Sequence, residues 1–79
     1  MNQAEIFETI VRHTREVVPA LQAHRFTLTD SLRELGANSV DRADIIMMTL
    51  ESLALRIPLS TMAKAENIGE LASIIHARA

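Results

Sequence analysis

The 79-residue sequence contains no cysteine, no tryptophan, no tyrosine and only two phenylalanines. Without cysteine there is no disulfide and no thiolate metal site, so any thiol chemistry must be imported. A core this poor in aromatics has to be built from Leu, Ile, Val, Met and Ala, which favours packed helices over a sandwich. Strong charge is also missing. Eight Lys and Arg against ten Asp and Glu leave a formal charge of −2, whereas a nucleic-acid module normally carries a basic face. No apolar run approaches the roughly eighteen residues of a membrane span, and Met1–Ile6 lacks the basic and apolar regions of a signal peptide. These absences predict one small soluble domain, residues 1–79, cytoplasmic and monomeric, with no nucleic-acid or membrane partner.

What remains is helical patterning. Asn2 with Glu5 can form a capping box, after which Ile6, Phe7, Ile10, Val11, Thr14, Val17 and Val18 recur at helical spacing until Pro19. Glu5, Glu8, Arg12, Arg15 and Glu16 line the other side, and His13 reads as a surface residue. From Pro19 to Asn38 the periodicity weakens, although Leu21, Phe26, Leu28, Leu32 and Leu35 must pack down. Thr29 or Asp30 can start a short helical turn that Gly36 closes, and His24 has no evident partner. Beyond the next helix, Pro58 blocks helix continuation. Ser60–Ala65 forms a short third helix, and Asn67 with Glu70 caps a last helix to about Ala77, where Gly69 is a mild cost.

The second helix is predicted from about Val40 to Leu55. Val40, Ala43, Ile46, Met47, Leu50, Leu53 and Ala54 share an apolar arc roughly 140° wide, more than a core-facing stripe needs; Ile45 and Met48 lie outside it. Ile46, Leu50 and Leu53 are assigned to the core. Val40, Ala43 and Met47, bordered by Asp44 and Glu51, are assigned to a partner-docking strip. At the start of this helix Gly36 can take the positive φ that ends the preceding turn, and Asn38 or Ser39 can supply the cap. Either way a hydroxyl stands at a helix N-terminus, where free N–H groups and the dipole favour an anion.

The stretch Leu35-Gly36-Ala37-Asn38-Ser39-Val40, with four helical segments and a long first loop over the whole chain, resembles the acyl carrier proteins, whose motif reads roughly Leu-Gly-x-Asp-Ser-Leu. The resemblance implies an all-α four-helix bundle with a short third helix, and at Arg56–Leu59 a short extended segment anchored by a buried Ile57. It also implies 4′-phosphopantetheine, taken from coenzyme A by a phosphopantetheinyl transferase and held covalently on Ser39, which is a tether and not a catalytic residue. Acyl groups then ride as thioesters at the end of that arm.

Two departures narrow the resemblance. Asn38 stands where most carriers have Asp, and Arg42 sits in a first turn that is commonly acidic. With Thr49–Leu53 and Ala65–Gly69, the run 36–45 looks like the freestanding donor carriers of polyketide β-branching. In that subfamily an acyltransferase loads malonyl, a decarboxylase-like ketosynthase converts it to acetyl, and a 3-hydroxy-3-methylglutaryl synthase homologue takes the acetyl group. Asn38, Val40, Arg42, Ala43, Asp44, Met47 and Glu51 are then the expected docking residues. A general polyketide, fatty-acid or nonribosomal-peptide carrier is the alternative within the family, and an unmodified helical interaction domain the alternative outside it. An enzyme is disfavoured because the three histidines are scattered and no metal-ligand spacing occurs.

Overall fold

Asn2 begins the first helix as its sequence requires. Its Oδ1 accepts from the Glu5 N–H at 2.9 Å while the Glu5 carboxylate accepts from the Asn2 N–H at 3.0 Å. The computed structural model describes residues 1–79 as α1 (Gln3–Val17), a 3₁₀ turn (Pro19–Leu21), α2 (Ser39–Ser52), α3 (Leu59–Met62) and α4 (Ile68–Arg78), with no strand. Helix α1 packs on both α2 and α4, and α3 packs on α4. Ile6 and Ile10 of α1, Ile45 of α2, and Ile68 and Ile75 of α4 are wholly buried and meet in one core with Leu32, Ile57, Met62 and Leu71. Burial of each such side chain contributes roughly 1.5–3 kcal/mol. No helix is long and apolar enough to cross a membrane.

The face that α2 turns inward differs from the predicted arc. Ile45, expected outside the arc, lies at the centre of the core, and Thr49 beside it is fully buried. Thr49 tolerates this because its hydroxyl donates to the Ile45 carbonyl at 2.7 Å. Leu50 is buried as expected, while Ile46 and Leu53 are half-buried at the margin. The helix also stops at Ser52, short of Leu55. Ala54 turns left-handed at φ 55°, with its N–H on the Glu51 carbonyl and the Leu55 N–H on the Leu50 carbonyl. This pattern closes a helix, so Ala54 leaves the arc and is exposed.

His13 is buried, contrary to the surface position expected for it. Its Nε2 shares a 2.7 Å hydrogen bond with the Ser52 hydroxyl at the end of α2, and its Nδ1 lies 3.4 Å from the Glu16 carboxylate. The bond to Ser52 ties α1 to α2 and offsets part of the cost of burying the ring.

The long first loop is pinned at several points. His24, which had no evident partner, meets the Asp30 carboxylate at 3.0 Å, and its carbonyl accepts from Arg15 Nη2, also at 3.0 Å. The Arg15 guanidinium lies 5.2 Å from the centre of the Phe26 ring. Asp30 does not open a helical turn, because its carboxylate is taken by the Thr27 N–H and by His24. Those two contacts, the Thr27 N–H first, hold its carboxyl below its ordinary pKa. The cap falls instead to Ser31, whose hydroxyl accepts from the Glu34 N–H, and residues 32–36 make a turn and not a helix.

The carbonyls of Asp30 and Leu28 receive the first two N–H groups of α4, from Ile68 at 2.9 Å and Gly69 at 2.8 Å. Asn67 caps the third through Glu70 at 2.7 Å, but the reciprocal half of the expected box is missing. The Glu70 carboxylate accepts from the Glu66 N–H instead. Helix α3 is shorter than predicted and starts one residue earlier, directly after Pro58; the Ala63 N–H closes it on the Leu59 carbonyl. Ile57 is buried in the extended segment before it, as expected.

Candidate functional site

The approach to Ser39 is a turn held from both sides. The Gly36 N–H donates to Arg33 and the Ala37 N–H to Leu32, with Gly36 at φ 103°. A Cβ on Gly36 would meet nothing within 4 Å, so the glycine is there for its backbone conformation and not for space. Ala37 is buried, and its carbonyl accepts from Arg42 Nη1 at 2.7 Å. Sequence reasoning did not find this clamp, although an arginine in a helical first turn, against the dipole, was its one visible signal.

Of the two residues able to cap α2, the structure uses Asn38. Its Oδ1 accepts from the Asp41 N–H at 2.8 Å, and the Asp41 carboxylate accepts from the Asn38 N–H at 3.2 Å. Ser39 is the first residue of α2, exposed, and its hydroxyl has no capping duty.

The two long helices that end the loops differ at their N-termini. At α4 the N–H groups of Ile68, Gly69, Glu70 and Leu71 all find protein acceptors. At α2 only Asp41 and Arg42 are so served, by Asn38, while the N–H groups of Ser39 and Val40 have no carbonyl behind them to meet. Free donors, a positive dipole end and an exposed hydroxyl therefore coincide at Ser39. A phosphodiester on its oxygen would sit where a helix N-terminus best accepts one. The residues present fit a phosphopantetheine arm.

Along α2 the predicted docking residues separate into two groups. Val40 is 67% exposed and Met47 53% exposed, and with Asp44 and Glu51 they form a continuous strip beginning one residue after Ser39. Ala43 is half-buried beside it. Asn38 and Arg42, by contrast, already bond to the chain itself: Asn38, exposed, in the capping box and Arg42, half-buried, on the Ala37 carbonyl. On the other flank of α2 a groove of about 520 Å³ runs from Leu32 and Arg33 past Arg42 and Ile46 to Met62 and Leu71.

Nothing in this arrangement activates Ser39 as a nucleophile. His13 bonds Ser52 and His24 bonds Asp30, while His76 is exposed at the far end of α4. No group of three His, Cys, Asp or Glu side chains is placed to hold a metal ion.

Comparison with known proteins identifies the family. Residues 8–75 match the family model described as a phosphopantetheine attachment site. The chain is 49% identical over 76 residues to the polyketide biosynthesis acyl-carrier-protein AcpK of Bacillus subtilis (strain 168), covering 96% of this chain and 93% of that one. It also superposes, with a TM-score of 0.93 and 45% identity, on a chain in the crystal structure of the curacin biosynthetic pathway HMG synthase in complex with acetyl donor-ACP; the match covers 98% of this chain and 99% of that one. With the family model matching residues 8–75 and the relative matching nearly the whole chain, this chain belongs to the acyl carrier proteins, which bear 4′-phosphopantetheine.

Proposed function

We propose that this chain is the acetyl donor of a polyketide β-branching cassette. The observation that carries the reading is its likeness, over nearly its full length, to a chain crystallised in a complex of an HMG synthase with acetyl donor-ACP. The polyketide carrier at 49% identity supports the same class of pathway. In this reading a phosphopantetheinyl transferase joins the Ser39 oxygen to the phosphopantetheine phosphate of coenzyme A, and adenosine 3′,5′-bisphosphate leaves. An acyltransferase then loads malonyl, a decarboxylase-like ketosynthase releases carbon dioxide to leave acetyl, and a 3-hydroxy-3-methylglutaryl synthase homologue accepts the acetyl group. The arm supplies the thiol that the cysteine-free chain lacks.

The chain itself makes and breaks no bonds in this cycle. It works in the cytoplasm as a monomeric single domain and offers each enzyme the same strip, Val40, Asp44, Met47 and Glu51, with Ala43 at its edge. Tethering keeps the acyl group at high effective concentration on each docked enzyme, and weak docking lets the carrier leave.

The test begins with intact mass after incubation with coenzyme A and a broad-specificity transferase, beside Ser39→Ala. One phosphopantetheine addition in the wild type and none in the variant is expected. Acetyl transfer from the acetylated chain to a β-branching HMG synthase should follow, and should exceed transfer from a fatty-acid carrier. Equal transfer from both would reduce the reading to a general polyketide carrier. No addition to the folded wild type with several transferases would leave an unmodified interaction domain.

A further inference from the structure

We infer that Arg42 is a positioning residue, which clamps the backbone before Ser39 and so sets the direction in which the loaded arm leaves the protein. The inference rests on the donor-carrier reading and adds to it a residue that acts through the backbone instead of by touching a partner.

Three observations converge on Arg42. It lies in the first turn of α2, where a cation opposes the helix dipole, so local preference does not account for it. Its Nη1 donates to the Ala37 carbonyl at 2.7 Å, a short charge-assisted bond. The carbonyl it holds belongs to a buried residue, with only Asn38 between it and the attachment serine. Arg42 also follows Ser39 by three residues and so shares its side of the helix.

The bond closes a ring of constraints. The Ala37 N–H is fixed on Leu32, the Ala37 carbonyl on Arg42, and Asn38 on Asp41, so every polar backbone group between Gly36 and Ser39 that bears on the direction of Ser39 is held. Arg42 alone among these ties the turn to the body of α2 through a side chain outside the capping box. Without it only the Ala37 bond to Leu32 and the Asn38 box hold the turn, and these open more often because the Gly36 backbone is permissive. An arm rooted on such a turn would enter a partner's tunnel less often in a productive direction.

Arg42→Met keeps the side chain's length and helix preference but removes the donors, while Arg42→Lys keeps one charged donor. Two measurements are made on each: amide hydrogen exchange at Ala37 and Asn38, whose N–H groups are bonded in the free chain, and kcat and KM for acetyl transfer to a β-branching HMG synthase. In Arg42→Met, exchange at these amides should rise about tenfold and kcat should fall about tenfold, with KM within about twofold of wild type. Arg42→Lys should recover a large part of both. A raised KM with unchanged kcat and unchanged exchange would make Arg42 a docking contact and overturn the inference. So would faster exchange with unchanged kcat, or a Lys variant no better than Met. If the wild type is never loaded or never accepted by the synthase, the donor reading fails on its own. Exchange in the unmodified chain still decides whether the clamp exists.

Discussion

Gly69 lies against the carbonyl of Leu28: its N–H donates to that oxygen at 2.8 Å, and a Cβ on Gly69 would come within 2.8 Å of the same atom. A glycine in the first turn of α4 looks like a defect by helix propensity alone, since Ala is favoured by about 1 kcal/mol. The contact reverses the sign. Gly69→Ala must push the loop backbone off α4 and should destabilise the protein by about 1–3 kcal/mol in urea unfolding. A stabilised variant would mean that the loop does not rest on α4 as described.

The opposite case stands at the end of α2. Ala54 occupies the left-handed position of a helix-closing motif where glycine is usual, at φ 55°. An L-residue there costs about 1–2 kcal/mol, while glycine loses about 0.5–1 kcal/mol more to chain entropy on folding. Ala54→Gly should therefore stabilise by about 0.5–1 kcal/mol, read as a higher urea midpoint with unchanged slope. A lower midpoint would refute the left-handed turn.

Asp30 makes acid sensitivity local. The Thr27 N–H and then His24 lower its pKa in the folded state, so its carboxylate contributes stability above the unfolded value, near 4, which is lost as pH falls through the folded one. Asp30→Asn should be less stable than wild type at pH 7 and equal to it once the wild-type carboxyl is protonated. The slope of unfolding free energy between about pH 5 and 2 should be shallower in the variant. Parallel curves for the two proteins would show that the Thr27 and His24 contacts do not form.

The parts legible in the sequence are those set by neighbours a few residues apart. The Asn2 box, the role of Gly36 and the Asn67 cap follow from short spacing, and the structure reproduces them. The position of Ser39 at the start of α2 was legible in the same way. The face of α2 was not, because a helix apolar on most sides carries no internal sign of which side meets α1. Thr49, which is not in the predicted arc, is buried with its hydroxyl satisfied within the helix, and Ile45, placed outside the arc, lies at the centre of the core. The partners of His13 and Arg42 were equally hidden. One is Ser52, far along the chain, and the other is a backbone carbonyl, which no side-chain pattern reveals.

Val40 and Met47 offer the clearest separation of recognition from folding. They are large apolar side chains exposed on one side of α2, two turns apart, and the core is complete without them. Replacing either by Ala removes no contact of the buried core and improves helix propensity, so unfolding free energy should stay within about 0.5 kcal/mol of wild type. If the strip is where partners dock, each loss should cost about 1–2 kcal/mol of binding, as central apolar anchors do. KM for acetyl transfer should then rise about tenfold per substitution, while kcat stays unchanged for the fraction that docks. Arg42→Met should give the opposite signature, so the three variants together divide α2 into a surface that is touched and a residue that aims the arm. Unchanged KM in both Val40→Ala and Met47→Ala would remove the strip from recognition and move the search to the groove beside Arg33 and Met62.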